Sequence, residues 1–210
     1  MMREKLFLIL SAFYVVLVIL SNMTGGKLVA SPFTDGLVPC SLFLYPFTYF
    51  LTDFIAETYG GSKARFLIYL GFGMALLMHT LASALIAIPA HPVAASFQLS
   101  LKTLFSFNGL SLTASLLAFI VSQLLDVKLF LKLKGQLWFR FNVATLLSQV
   151  VDSFMINFIL FWGLMGWSFL EVFDIFISAI VLKTAFSILL TPLFYAAILI
   201  SKRFALPDRP

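Results

Sequence analysis

The chain has 210 residues, of which 61% are hydrophobic and only 11% charged, and its mean hydropathy of +1.05 excludes an ordinary soluble domain. A single cysteine, Cys40, excludes an internal disulfide and a cysteine-based metal cluster. The net charge of +5 belongs to loops and does not suit binding to nucleic acid. We therefore expect one transmembrane domain over 1–210, embedded in the lipid bilayer, without a metal or cofactor.

Six apolar runs are each long enough to cross a bilayer, which takes about 20 helical residues. They fall at 6–22, 41–59, 66–88, 109–131, 137–165 and 171–200. The first run follows basic residues as a signal peptide does, but no cleavage site closes it, so we interpret it as an uncleaved span. The expected fold class is an all-α integral membrane protein with six transmembrane helices.

The connection between the first two spans, 24–39, is dense in glycine and proline. Those residues are Gly25, Gly26, Pro32, Gly36 and Pro39. Irregular backbone at membrane depth is tolerated only where protein or a water-filled cavity covers it. We expect this segment to be irregular, with a short re-entrant segment as one option. The longest connection, 89–108, is mildly amphipathic and is expected at the surface.

Basic residues predict the orientation. One side of the six-span arrangement holds eleven of the fourteen lysines and arginines. These are Arg3, Lys5, Lys63, Arg65, Lys128, Lys132, Lys134, Arg140, Lys202, Arg203 and Arg209. Because cytoplasmic loops carry the excess of positive charge, both termini are expected to be cytoplasmic.

A polar stripe runs along the second span. Tyr45, Tyr49, Asp53 and Glu57 recur every four residues and so share one helix face. Pro46 removes a helical hydrogen bond beside this stripe, which loosens the span where a ligand could enter. Asp53, near mid-membrane, is either a ligand-binding acid or the structural partner of a buried cation. Glu57 is either part of the site or an interfacial acid.

Two five-residue strings repeat one pattern in adjacent spans. They are Ser122-Gln123-Leu124-Leu125-Asp126 and Ser148-Gln149-Val150-Val151-Asp152, 26 residues apart. A carboxylate in the middle of a membrane helix costs about 2.5–3.5 kcal/mol on insertion scales, so it usually has a use. An inverted pair and a chance similarity both remain open. Asp126 stands two residues from Lys128, and we expect it near the interface.

The fifth span carries the most regular polar stripe. Asn142, Thr145, Gln149 and Asp152 lie within one arc of the helix. Hydrogen bonding between helices is the alternative explanation for such a stripe. Lys183, in the middle of the last span, needs a carboxylate partner, which we expect to be Asp152 or Asp53, and a purely structural ion pair is a rival role for it.

The sequence contains no motif for catalysis or for nucleotide hydrolysis. His79 and His91 lack a serine or cysteine partner at helical spacing, so we do not expect an enzyme. Transport would use a gradient, passive equilibration or a separate energising partner. One function that fits these residues is a proton-coupled carrier of a small polar solute or vitamin. In such a carrier the buried acids would relay protons.

Several of these residues together resemble a known family. The most specific part is the block from Tyr45-Pro46 through Thr52-Asp53 and Glu57 to Tyr59-Gly60. It is joined by Asn22, Lys27, Arg140 and the two Ser-Gln-x-x-Asp strings, in order over nearly the whole chain. This pattern resembles the queuosine-precursor transporter family, also called the Vut family.

The resemblance implies an importer in the bacterial inner membrane. Its substrate would be a queuosine precursor used in tRNA modification: 7-cyano-7-deazaguanine, 7-aminomethyl-7-deazaguanine or queuine. The family is similar in outline to the six-helix vitamin-binding subunits of energy-coupling-factor transporters. Because 6–20 lacks small residues spaced by four for docking, we expect no obligatory ATPase partner, and a homodimer is left open.

The chemistry of a guanine-like ring predicts the roles of the polar residues. Asp152 or Asp53 would accept hydrogen bonds from N1–H and the exocyclic amine, and Gln123 and Gln149 would orient the ring. Tyr45 or Tyr49 would stack on the planar ring. Asn22 is expected in or beside the site. Residues expected to support the site or couple transport are Lys27, Glu57, Asp126, Arg140, Asn142 and Lys183.

Overall fold

The computed structural model describes residues 2–32, 36–105, 109–164 and 166–204. Its helices are α1 (Met2–Thr24), α2 (Tyr45–Tyr59), α3 (Gly61–Ile86), α4 (Ala95–Leu104), α5 (Gly109–Lys132), α6 (Leu137–Phe154) and α7 (Phe169–Phe204). Two short strands are β1 (Leu28–Ala30) and β2 (Leu37–Pro39). Residues 33–35 of the irregular segment, and Arg209 of the basic tail, lie outside the described residues.

The expected all-α membrane architecture is confirmed. Within the described ranges, five helical stretches are long and apolar enough to cross a membrane. They are Arg3–Thr24, Gly61–Ile86, Ala114–Lys132, Leu137–Gly163 and Phe169–Lys202. Large apolar side chains such as Leu8 and Leu189 point outward, as lipid contact requires. The count of six spans stays a prediction.

Helix α2 differs from the spanning helices because it lies inside the bundle. It has 15 residues, which gives a length of about 22 Å and is short of the hydrocarbon thickness. All residues from Thr48 to Ala56 are buried, and the helix packs against α1, α3, α5 and α7. The predicted polar stripe of α2 is therefore enclosed by other helices.

The glycine-rich segment forms a β-hairpin. Strands β1 and β2 pair antiparallel, with Leu28 opposite Pro39. A hydrogen bond from Cys40 N to Lys27 O, 2.7 Å long, extends this pairing, and Val38 packs against Ala179 and Leu182 of α7. In the described part of the hairpin, backbone groups of one strand therefore bond to those of the other, as non-helical backbone at membrane depth requires.

The connection 89–108 contains helix α4, whose residues are not buried. Gln98 Nε2 donates a hydrogen bond of 2.7 Å to the carbonyl of Ile86 and ties α4 to the end of α3. Helix α6 continues without interruption into a π-helical segment, Met155–Leu164. Wider turns of this kind occur frequently at functional sites.

Contacts between helix termini define a basic end of the bundle. Arg3 donates to the carbonyl of Thr58, and Arg140 pairs with Glu57 at 3.1 Å. These contacts bring the start of α1, the end of α2 and the start of α6 together. Above this end, Phe141 stacks on Phe194 with ring centroids 4.4 Å apart, and Phe194 also contacts Phe130 edge to face. We call the opposite end, which carries the hairpin, the hairpin end.

Candidate functional site

A cavity of about 210 Å³ lies at the hairpin end of the bundle. Its wall comes from α1, α2, α3, α5, α6, α7 and the hairpin region. The polar and aromatic residues of the wall include Ser21, Asn22, Tyr45, His79, Asp152, Ser153, Asn157, Phe161, Trp167 and Lys183. Pockets for drug-sized ligands span about 300–1,000 Å³, so this cavity suits a smaller molecule.

The central polar feature of the wall is an ion pair between α6 and α7. Lys183 Nζ lies 2.8 Å from Asp152 Oδ2 and donates a second hydrogen bond, also 2.8 Å long, to Ser153 Oγ. Both charged side chains are almost fully buried, with 3% and 1% of the side-chain surface exposed. Of the two acids expected to pair with Lys183, the structure selects Asp152. Breaking such a pair would leave an uncompensated buried charge.

The two repeated strings meet across the α5–α6 interface. Ser122 Oγ donates to Asp152 Oδ1 at 3.2 Å, and Ser148 Oγ donates to Asp126 Oδ1 at 2.9 Å. The serine of each string therefore bonds to the aspartate of the other. This reciprocity arises because the helices run in opposite directions and serine and aspartate stand one turn apart.

Three buried polar atoms on the cavity wall have no hydrogen-bond partner among the described residues. They are Ser21 Oγ, His79 Nε2 and Asn157 Oδ1. The Asn157 amide nitrogen donates to Ser153 O at 2.7 Å, which leaves its oxygen free to accept. Leaving a buried polar group unpaired costs about 1–3 kcal/mol, so these atoms favour a polar ligand in the cavity.

Aromatic rings supply the flat surfaces of the cavity. The Tyr45 ring lies 5.8 Å from Lys183 Nζ, within the range of a cation–π contact. Phe161 and Trp167 contact each other with centroids 5.1 Å apart, and Trp167 N donates to Phe161 O at the end of the π-helical segment. The wall thus combines donors, acceptors and rings, as small-molecule sites usually do.

The structure separates the predicted site residues into two groups. Asn22, Tyr45, Asp152 and Lys183 stand on the cavity wall. A second group is buried behind that wall and, among the described residues, does not line it: Tyr49, Asp53, Gln123, Asp126 and Gln149. Gln123 donates to Thr48 Oγ1 at 2.8 Å and accepts from Thr52 Oγ1 at 3.2 Å, so its amide links α5 to α2.

Asp126 is enclosed by protein and not half solvated, which corrects the expectation drawn from its neighbour Lys128. Its residue is 0% exposed, and its carboxyl group contacts that of Asp53, which is equally buried. The sequence distance to a lysine was misleading because α5 turns Asp126 toward α2 and α6 while Lys128 faces outward.

The remaining predicted residues are not among the described residues that line the cavity. Arg140 bonds to Glu57 and to the carbonyl of Phe130 at the basic end. Asn142 links α6 to α7, because its amide nitrogen donates to Thr191 and its oxygen accepts from Ser187. Lys27 is exposed, and its neighbours Gly26 and Leu28 line the cavity.

Sequence reasoning missed Ser21, His79 and Asn157 as site residues. Ser21 stands beside Asn22, and His79 beside Thr80, but neither belongs to a polar stripe at helical spacing, so no periodic pattern marked them. Asn157 follows Ser153 by one turn, and that spacing was the available signal. His79 comes close to the others only because the end of α3 packs beside the hairpin end of α1 and α5.

Comparison with known proteins identifies the family. Residues 39–197 match the family model described as "Putative vitamin uptake transporter". The chain is 34% identical over 162 residues to a Bacillus subtilis (strain 168) protein named "Probable queuosine precursor transporter", covering 73% of this chain and 69% of that protein. No solved structure matches the chain. The chain therefore belongs to the vitamin uptake transporter (Vut) family, and it is a membrane transporter rather than an enzyme.

Proposed function

We propose that the protein imports queuosine precursors, namely 7-deazaguanine bases such as 7-cyano-7-deazaguanine, 7-aminomethyl-7-deazaguanine or queuine, for tRNA modification. The observation that carries this proposal is the Asp152–Lys183 pair on the cavity wall, which places an acceptor beside a donor. A guanine-like edge has the complementary order: an exocyclic amine and N1–H that donate, followed by O6, which accepts. The relative from B. subtilis supports the same substrate class.

Counting hydrogen bonds shows that the pair has capacity left for a ligand. Each carboxylate oxygen can accept two hydrogen bonds, and the bonds assigned to Asp152 are one from Ser122 and one from Lys183. Lys183 has three N–H donors, of which Asp152 and Ser153 take two. Asp152 can therefore accept from the amine and N1–H while Lys183 donates its third hydrogen to O6.

Other wall residues fit the rest of a deazaguanine. Tyr45 and Trp167 offer faces for stacking on the bicycle, an interaction worth about 1–3 kcal/mol per base in nucleic-acid sites. Asn157 Oδ1 and His79 Nε2 can bond to the pyrrole N–H or to the substituent at position 7. Ser21 and Asn22 line the part of the cavity nearest the hairpin, where a substituent would need polar contacts.

The position of the cavity agrees with import. If the basic end faces the cytoplasm, as the distribution of lysine and arginine predicts, both termini are cytoplasmic and the cavity opens toward the outside. The basic end below it is closed by the Phe141–Phe194 stack and the Arg140–Glu57 pair. In this proposal the protein lies in the bacterial inner membrane and needs no obligatory ATPase partner.

A binding scan on the purified protein tests the substrate class. The scan should include the three deazaguanines, guanine, nucleosides and unrelated vitamins, with affinity measured by calorimetry. We expect the deazaguanines to bind and the nucleosides to fail, because ribose replaces the ring N–H that Asn157 Oδ1 or His79 Nε2 would accept. Tight binding of an unrelated vitamin without binding of any deazaguanine would overturn the proposal.

A further inference from the structure

Besides the serine of the other string, each aspartate of the two repeated strings contacts one more charged or titratable residue. That residue is a cation for one aspartate and an acid for the other. Asp152 of the second string is paired with the cation Lys183. Asp126, in the same position of the first string, faces the carboxyl group of Asp53 instead. Both oxygens of Asp53 lack a donor among the described residues, whereas the hydroxyl groups of Ser148 and Thr145 on α6 lie beside Asp126. Two fully ionised carboxylates in this place would repel each other without a donor between them.

Charged and titratable groups around the acid pair do not neutralise it. Tyr14 of α1, Tyr49 and Glu57 of α2, and Arg140 of α6 face it. Arg140 is already bound to Glu57 and to Phe130 O.

The charged groups of α3 and α7, the other two helices that pack against α2, do not face the acid pair. On α7, Lys183 is held by Asp152. Helix α3 carries Lys63, Arg65 and Tyr69 on its exposed face, and His79 stands at the cavity. The acid pair thus has no cation of its own within the described residues, and one proton between the carboxyl groups would supply the missing donor and remove the repulsion.

The acid pair lies between the cavity and the basic end in depth along the bundle. Asp53 follows Tyr45 of the cavity wall by eight residues, about 12 Å along α2, and precedes Glu57 by one turn. Asp126 connects through Ser148 to α6, and the neighbouring Ser122 connects to Asp152 at the cavity. The two carboxyl groups therefore lie at a depth between the Asp152–Lys183 pair and the Arg140–Glu57 pair, which a substrate moving inward has to cross.

We propose that Asp53 and Asp126 bind one proton that accompanies each substrate molecule toward the basic end, so that the proton gradient drives uptake. The proton enters from the hairpin end, is held between the two carboxyl oxygens, and leaves at the basic end. The pair then takes up a new proton before the next cycle. This inference rests on the proposed import of a deazaguanine and adds its energy source.

Proteoliposomes test the coupling directly. The protein is reconstituted, the membrane potential is clamped at zero with potassium and valinomycin, and a pH difference of one unit is imposed with labelled 7-cyano-7-deazaguanine outside. With one proton per substrate, the internal concentration should rise to about ten times the external one, and a protonophore should abolish this accumulation. Asp53→Asn and Asp126→Asn should equilibrate the base without concentrating it. Asp174→Asn, which changes an exposed acid, should concentrate it normally.

Two results would overturn the proton site. One is a wild-type protein that equilibrates the base but ignores the pH difference, which would leave the proposed substrate standing. The other is normal accumulation by both asparagine variants.

Infrared spectroscopy of the ligand-free protein gives a readout that needs no substrate. A band from a protonated carboxylic acid should be present at neutral pH, lost in Asp53→Asn and Asp126→Asn, and kept in Asp174→Asn. Absence of this band from the wild type would also reject the inference.

Discussion

Ser122 of α5 donates a hydrogen bond to Asp152 of α6, and Ser148 of α6 returns the same bond to Asp126 of α5. The two Ser-Gln-x-x-Asp strings are therefore structural counterparts that meet across one interface. The two aspartates differ in their other contact, which is Lys183 for Asp152 and Asp53 for Asp126. One aspartate thus stands beside the cavity as a paired anion, and the other belongs to a buried acid pair.

Replacing Asp152 by asparagine should abolish most of the uptake. The change keeps the shape but removes the charge, so the ring donors lose a charge-assisted acceptor worth about 1.5–3 kcal/mol. Lys183 is also left without its carboxylate, at a cost to folding of about 3–5 kcal/mol. We expect uptake of labelled base, normalised to membrane abundance, to fall about tenfold or more.

A double variant separates the two effects of that change. Asp152→Asn combined with Lys183→Met removes the unpaired cation, so thermal stability should recover most of what the single variant lost. Uptake should stay low because both ligand contacts are gone. Near-normal uptake by either variant would show that the ion pair only holds the helices together.

Guanine should compete poorly with the deazaguanines for uptake. Its N7 accepts a hydrogen bond where the deazapurine has a carbon atom with a substituent. In the proposed binding mode position 7 itself lies against the apolar part of the wall, which includes Ile156, Ile175 and Ala179, and only the substituent reaches past it to the polar groups. Guanine has no substituent and leaves N7 buried and unpaired, at a cost of about 1–3 kcal/mol. Inhibition of uptake should therefore need about tenfold or more guanine, and equal inhibition would refute this account of specificity.

Two glycines of α3 offer a matched test of the packing. A Cβ on Gly71 would lie 2.6 Å from Cε1 of the fully buried Tyr14, whereas a Cβ on Gly73 meets no atom within 4 Å. Gly71→Ala should lower stability by about 1–3 kcal/mol. Gly73→Ala should be neutral or stabilising by up to about 1 kcal/mol, because alanine favours a helix. Thermal denaturation in detergent compares them, and equal midpoints would contradict this packing.

The basic residues predict a membrane orientation that reporter fusions can measure. A reporter that requires export for activity should stay silent when fused after Arg203. The same reporter inserted at residues 89–91, in the connection before α4, should be active. An active fusion after Arg203 would contradict the six-span arrangement and the direction in which we expect the cavity to open.

Apolar runs predicted membrane helices and periodicity predicted their polar stripes, but neither could assign every buried polar residue to a role. The stripe on α6 combined Asp152, which lies at the cavity, with Asn142, which bonds to α7. Both face the bundle interior, and their depth along the helix separates their roles. The high cost of an unpaired charge in the membrane predicted that Lys183 pairs with Asp152 or Asp53. Only the packing of the helices shows that the partner is Asp152.

The enclosure of α2 and the location of the cavity needed the tertiary structure. The polar stripe of α2 predicted which face points inward, but the apolar residues between fit contact with lipid as well as contact with protein. Composition therefore could not show that Thr48 to Ala56 are surrounded by protein on all sides. The cavity wall joins Ser21, His79 and Asn157 from separate helices. Their convergence depends on how helix ends pack, and local sequence carries no signal for that.

The most direct test of the central claim is the queuosine content of tRNA in cells that cannot make deazaguanines and lack their own importer. Such cells, supplied with precursor at micromolar concentration and expressing this protein, should regain queuosine in tRNA. Cells expressing Asp152→Asn should regain about a tenth of it or less, in proportion to the lost uptake. Expression of the wild-type protein without any gain of queuosine from any of the three precursors would contradict the proposed function.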